Sequence, residues 1–202
     1  MRPLGAPGVR TPCNTCGRPA TTRSTGFPPE ERISVQSVKT VIDSPVGPLT
    51  LVAVDGALTG LYMEDQRHRP PEENFGEPDT TPFGPVIEQL GEYFAGQRSE
   101  FDLAMAPAGT PFQRAVWAAL CEIPYGETIS YGELAERIGK PSASRAVGLA
   151  NGKNPIGIIV PCHRVVGSNG SLTGYGGGLG RKQHLLDFER RNSAGAQAAF
   201  DF

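Results

Sequence analysis

The 202-residue chain has no apolar stretch long enough to span a bilayer, and the short run Ile156–Val160 is broken by Gly157. No positively charged segment followed by an apolar one opens the chain, so no secretory signal is expected. Cysteine is scarce. Cys13, Cys16, Cys121 and Cys162 are too few to staple a chain of this size with disulfides. These absences make the cytoplasm the expected compartment, where a cysteine beside a histidine is a candidate nucleophile. Net charge is also small, −2. It is unevenly spread, however: residues 30–109 carry 5 Lys and Arg against 14 Asp and Glu, and residues 110–192 carry 10 against 6. A polyanionic partner would therefore meet the C-terminal half.

Residues 1–32 hold six prolines, four glycines and no periodic apolar pattern. Such a segment cannot bury enough surface to offset the entropy of ordering, and it reads as a flexible leader. Cys13-Asn14-Thr15-Cys16 is half of a zinc-ribbon spacing, but no second pair follows and no metal is assigned. A start codon placed too far upstream would give the same leader.

Residues 33–109 predict a small sheet with one helix. Val35, Val38 and Val41 alternate with polar residues, Leu49–Val54 resumes the alternation, and Leu58–Met63 offers a third strand after Asp55-Gly56. Residues 64–82 read as an acidic, proline-rich surface loop. Val86, Leu90, Tyr93 and Phe94 fall at helical spacing. Residues 110–192 read as helical. Thr110 and Pro111 open a helix along Phe112, Val116 and Leu120. Ser130 and Glu133 have capping-box spacing before a helix over Glu133–Ile138. Gly139-Lys140-Pro141 is a turn, and Ser142–Gly152 predicts the second helix of a helix-turn-helix. That helix is rich in small residues, among them Ala146, Gly148, Ala150 and Gly152. They suit either a narrow DNA groove or tight packing against another helix. Residues 193–202 read as a tail. The expected fold class is mixed α/β (α+β).

The chemistry is expected at Pro161-Cys162-His163-Arg164, after the β-branched run Ile158–Val160, where a strand would give way to a turn. Cationic neighbours lower a thiol pKa, and His163 and Arg164 are such neighbours. A nucleobase-deaminase zinc site would need a second cysteine nearby, and a papain-like peptidase keeps its Cys and His far apart in sequence; neither pattern is present.

Pro161-Cys162-His163-Arg164-Val165 resembles the active-site signature of the O6-alkylguanine-DNA alkyltransferase family. Tyr125-Gly126-Glu127-Thr128, Ser130-Tyr131-Gly132, Ser144-Arg145-Ala146-Val147-Gly148, Asn151 to Pro155 and Thr173-Gly174-Tyr175-Gly176-Gly177-Gly178 resemble the same family in order. Asp43-Ser44-Pro45-Val46-Gly47-Pro48-Leu49 resembles its N-terminal domain, so the likeness runs from about residue 37 to 192. It implies a ribonuclease-H-like N-terminal part and a winged-helix-like DNA-binding part. It implies single-use transfer of an alkyl group from guanine O6 in double-stranded DNA to Cys162, with no cofactor and as a monomer. His163 would be a water-mediated base, Glu189 its orienting carboxylate, and Asn154 the tie between recognition helix and active-site strand. Arg145 would replace a flipped base from the minor groove, with Ala146, Gly148, Ala150 and Gly152 beside it. Tyr131 would help protonate the leaving guanine, and Val165, Tyr175, Gly176 and Gly177 would line the pocket with it. The rival reading is a damage binder or helix-turn-helix regulator that does no chemistry; a cysteine at 162, where such a binder would carry an inert residue, argues against it.

Overall fold

The computed structural model describes residues 36–198. The leader, with Cys13 and Cys16, lies outside the described residues. Strands β1 (Ser37–Ile42), β2 (Leu49–Val54) and β3 (Ala57–Met63) form an antiparallel meander, and the two-residue β4 (Glu77–Pro78) adds to β1 in parallel, giving the order β3-β2-β1-β4. Asp55 and Gly56 join β2 to β3 with φ of 50° and 79°. A two-residue loop with both φ positive matches strand twist, and Asp-Gly is among the pairs that adopt it at least cost.

β2 is buried on both faces. Leu49, Leu51 and Ala53 face the main core, while Val52 joins a small cluster with Tyr62 and Phe75. The stretch 64–82 is therefore more than a surface loop. A short 3-10 turn, Glu72–Phe75, lays Phe75 against Tyr62 with ring centroids 5.2 Å apart, and the Arg69 guanidinium sits 4.9 Å from the Phe75 centroid. Each fully buried Leu or Phe contributes about 1.5–3 kcal/mol, which offsets the ordering of this segment.

Helix α1 (Gly84–Phe94) packs Val86, Leu90 and Tyr93 inward. Helix α2 (Pro111–Cys121) opens on a complete Thr110–Gln113 capping box with Pro111 at its first position. A second capping box, Ser130–Glu133, opens α3 (Tyr131–Arg137) two residues earlier than expected. The paired residues before it form β5 (Ile129–Ser130), parallel to β6 (Val165–Val166). Helix α4 (Ser144–Gly152) starts later than expected, because Pro141–Ala143 forms a 3-10 turn. Lys140 precedes a proline and is steered away from helical geometry, at φ −132° and ψ 58°. Helix α5 (Leu179–Ala198) continues past residue 192, where the tail was expected to begin.

The sheet and the helices share one hydrophobic core, from Leu49 and Leu61 through Trp117 and Leu120 to Ile156 and Leu185. The outer edge of β3 is covered by the C-terminal half of the chain. Leu61 N–H donates to Pro155 O at 2.8 Å, and Gly157 N–H donates to Leu61 O at 3.2 Å. This pairing anchors the 154–161 segment directly before Cys162.

Candidate active site

Residues 157–161 are turns rather than the expected strand, and Ile158 takes a left-handed φ of 68°. The β-branched run is apolar because Ile156, Ile158, Ile159 and Val160 point into the core from an irregular backbone. Asn154 holds that backbone. Its amide nitrogen donates to Val160 O at 2.8 Å, and its carbonyl oxygen accepts from Ile156 N–H at 3.1 Å. Asn154 thus clasps the approach to Cys162, with no strand involved. Cys162 opens a 3-10 turn through Arg164 and is buried.

Glu189, projecting from α5, is wholly buried and accepts five hydrogen bonds. His163 Nε2 and Tyr93 Oη reach Oε1 at 2.9 and 2.8 Å, and Arg164 Nη2 reaches the same oxygen at 2.9 Å. Arg164 Nε and the Gly126 backbone N–H reach Oε2 at 2.9 and 3.1 Å. Burial pushes the Glu189 carboxyl up, but the His163 and Arg164 hydrogen bonds and charges outweigh it and hold the group well below the usual carboxylate range. An ionised carboxylate only accepts, so the Nε2 atom of His163 carries a proton. Burial lowers the His163 pKa against the pull of Glu189, so the ring is neutral near pH 7. Nδ1 is then a bare lone pair. Among the described residues it has no hydrogen-bond partner. A buried, unpartnered base atom on the residue after the nucleophile is what proton removal requires.

Arg164 does not act on the thiol as expected. Its guanidinium is committed to Glu189 and to Ile123 O, and it lies 5.6 Å from the Tyr125 centroid. Burial pushes the Cys162 thiol up, against the lowering influence of the Asn154 amide and of Lys182. The resting group is a thiol. Lys182, fully buried on α5, is the cation that sequence reading missed. Its ammonium donates to Val165 O at 2.6 Å and Thr173 O at 2.8 Å, and burial pulls its pKa down to about 8. Tyr93 was likewise read only as a core residue. No spacing rule links residues 93, 126, 164 and 189; only the fold brings them together.

Tyr131 Oη donates to Thr173 O at 3.2 Å and Gly174 O at 3.4 Å, which places the phenol against the 173–178 loop. Tyr175, Gly176 and Gly177 line the pocket at Cys162, together with Gln66, Asn151 and Asn154. Val165 is not among the residues around this small space; it is buried in β6. The pocket is small, at about 10 Å³.

On α4, Arg145 and Ala146 are exposed, with Leu149 70% exposed beside them. Ala150 faces inward, 3% exposed, and its carbonyl accepts from Trp117 Nε1 at 2.9 Å; the structure does not bring it to the surface. Gly148 is half-buried, and a Cβ there would sit 3.7 Å from the Tyr131 ring. A Cβ at Gly152 would meet nothing within 4 Å. The small residues thus divide between packing, at Ala150 and Gly148, an exposed face, at Ala146, and the half-buried lining of the pocket at Cys162, at Gly152. Among the described residues no cluster of side chains could hold a metal ion, and no helix is long and apolar enough to cross a membrane.

Two family profiles match the chain. That of the 6-O-methylguanine DNA methyltransferase ribonuclease-like domain covers residues 37–107, and that of the DNA-binding domain of the same name covers 111–191. The chain is 57% identical over 160 residues, 79% of its length, to the methylated-DNA–protein-cysteine methyltransferase of Mycolicibacterium paratuberculosis, of which 96% is covered. It resembles the crystal structure of Mycobacterium tuberculosis O6-methylguanine methyltransferase, with a TM-score of 0.74 and 52% identity over 82% of this chain and 99% of that one. The structure of Mycobacterium tuberculosis OGT in complex with DNA gives a TM-score of 0.72 and 53% identity, covering 77% and 94%.

Proposed function

We propose that this chain, which belongs to the 6-O-methylguanine DNA methyltransferase family, repairs double-stranded DNA by moving an alkyl group from guanine O6 to its own Cys162. The observation that carries the reading is the buried sequence Cys162, neutral His163 with a bare Nδ1, and ionised Glu189. In this reading the thiol proton passes to His163 Nδ1 through a bridging water. The sulfur lone pair forms the C–S bond at the alkyl carbon. The C–O6 bond breaks, and its electron pair leaves with guanine, which takes a proton from Tyr131. The imidazolium so formed is stabilised by Glu189. The product is a thioether and a repaired base, and no cofactor or metal enters the balance.

A guanine O6 inside a duplex is out of reach of a buried sulfur, so the base must leave the stack at a cost of a few kcal/mol. Arg145 is suited to fill the vacated space, with the exposed Ala146 beside it admitting the minor groove. The pocket at Cys162 must open as the base enters. The reduced cytoplasm fits a free thiol nucleophile, and one protein molecule suffices for each lesion.

The test is incubation with an oligonucleotide carrying O6-methylguanine, then digestion and mass spectrometry. One methyl per protein molecule is expected, on Cys162 and not on Cys121, with the reaction stopping after one equivalent. Cys162→Ala should end transfer and still bind the oligonucleotide. Binding without any methyl on the wild-type protein would instead identify a damage binder.

A further inference from the structure

Helix α4 turns three residues inward, Val147, Ala150 and Asn151. The spacing i, i+3, i+4 is the apolar stripe of a packed helix, and Val147 and Ala150 fill it as such a stripe requires. Asn151 does not. It is 2% exposed, and a buried amide costs stability unless both of its ends are paired.

One end has a partner. Asn151 Nδ2 donates to Cys162 O at 3.4 Å. Asn151 Oδ1 has no hydrogen-bond partner among the described residues. Turning the amide round gives no cure, because Oδ1 would then face Cys162 O, acceptor against acceptor. Asn154, three residues on, is the contrast. It lines the same pocket but spends both ends on backbone, at Val160 O and Ile156 N–H. Asn154 is a clasp, whereas Asn151 brings an unused acceptor to the wall of the pocket at Cys162.

The chemistry of the base says what can use that acceptor. In O6-alkylguanine the alkyl group has removed the N1 proton, so N1, N3, N7 and O6 all accept. The exocyclic 2-amino group is the base's one N–H donor. O4-alkylthymine has lost its N3 proton in the same way and carries no N–H at all. A buried, unpartnered acceptor is therefore satisfied by the guanine lesion and left unpaired by the thymine lesion. A site built to hydrogen-bond one group discriminates strongly against an analogue that lacks it.

We infer that Asn151 is a specificity-determining residue, whose Oδ1 accepts a hydrogen bond from the 2-amino group of the flipped O6-alkylguanine and so selects guanine over thymine lesions. The inference rests on the transfer reaction described above and identifies the base which that reaction prefers. The bonds made and broken are unchanged: Sγ takes the alkyl carbon, and guanine leaves with the O6 electron pair. Helix α4 then serves the duplex through Arg145 on its exposed face and the base through Asn151 on its buried one.

The experiment measures single-turnover transfer to Cys162 from matched oligonucleotides bearing O6-methylguanine, O6-methylhypoxanthine or O4-methylthymine. Each lesion is placed opposite an abasic site, so that pairing with the other strand does not enter. O6-methylhypoxanthine is the guanine lesion without its 2-amino group. The wild-type protein should favour O6-methylguanine over O6-methylhypoxanthine. Asn151→Ala should lower that ratio about five- to tenfold, as expected for one buried hydrogen bond between neutral groups, and should lower the ratio of O6-methylguanine to O4-methylthymine with it. Asn151→Leu, which keeps a branched side chain without an acceptor, should give the same fall and serves where the alanine variant folds poorly. A purely structural asparagine would slow all three substrates alike. A wild-type guanine-to-hypoxanthine ratio near one, or a ratio that does not move in a folded variant, overturns the inference while leaving methyl transfer intact. Absence of methyl on Cys162 of the wild-type protein after reaction with O6-methylguanine overturns the transfer reaction itself, and this inference with it.

Discussion

The two sides of Cys162 are built differently. On one side, Glu189 is gripped by five donors from three parts of the chain, and every side chain among them is buried. On the other, the wall is the glycine-rich 173–178 loop resting on the 64–69 turn. It is held by Arg67 N–H to Gly176 O at 2.8 Å and by Arg181, which bonds Glu64 O and Gly177 O across the junction. The first side cannot move without leaving a buried charge unpaired. The second can move by exchanging a few half-exposed hydrogen bonds for water. The difference teaches that rigidity is concentrated where a proton must be handled, and compliance where a base must enter.

The harshest way to break this contrast is Glu189→Gln. It leaves the nearly buried Arg164 charge without its counter-ion, at a cost of about 3–5 kcal/mol. Urea unfolding at pH 7 should read that loss, and alkylation of Cys162 by a small electrophile should slow by about a hundredfold. The pH dependence carries a sign. A depressed folded-state carboxyl contributes stability above its unfolded pKa of roughly 4.3, and that contribution is lost as pH falls toward the folded value. The wild-type unfolding midpoint should therefore drop below about pH 4.3 more steeply than that of the variant. Equal slopes would remove Glu189 from the charge balance.

A duplex-specific test sharpens the other side. Arg145→Ala should slow transfer from duplex DNA on the order of tenfold or more, since extrusion costs a few kcal/mol, and should barely change reaction with free O6-benzylguanine. A lesion opposite an abasic site should show an intermediate loss. Equal losses on duplex and free base would make Arg145 a general pocket residue. Removing one donor from the Glu189 side is milder. Tyr93→Phe should cost about 1–3 kcal/mol in unfolding, as expected when one partner of a buried hydrogen bond is removed, with a smaller rate loss than Glu189→Gln. Smallest of all should be Arg181→Ala, worth about 0.5–1.5 kcal/mol in stability, with transfer from duplex DNA slowed less than by Tyr93→Phe. A larger loss from Arg181 than from Tyr93 would reverse the assignment of rigid and compliant sides.

Much of this was legible in the sequence where local rules govern. β2 falls on Leu49–Val54 as its alternation requires, and both capping boxes form at Thr110 and Ser130. His163 and Glu189 were read from the family likeness, and the fold brings them within 2.9 Å. What was not legible depends on tertiary placement. Ile158–Val160 has strand composition, but its backbone is bent to bury three side chains before a turn, and composition cannot distinguish that from a strand. Arg164 looked like a thiol activator because it is close in sequence; its guanidinium turns away to a carboxylate 25 residues later. Lys182 gives no signal of burial, since lysine is normally a surface residue. Ala150 and Ala146 are indistinguishable as letters, yet Ala146 faces outward and Ala150 does not.

The inward turn of Ala150 has an optical consequence. Trp117 is the chain's single tryptophan, and its indole N–H is bonded to the Ala150 carbonyl. The indole emission therefore originates at one site, beneath the helix expected to enter the groove and in the wall of a cavity of about 330 Å³. A shift of α4 against its support should alter the intensity or wavelength of that one fluorophore, so binding can be timed in a stopped-flow instrument with no label attached.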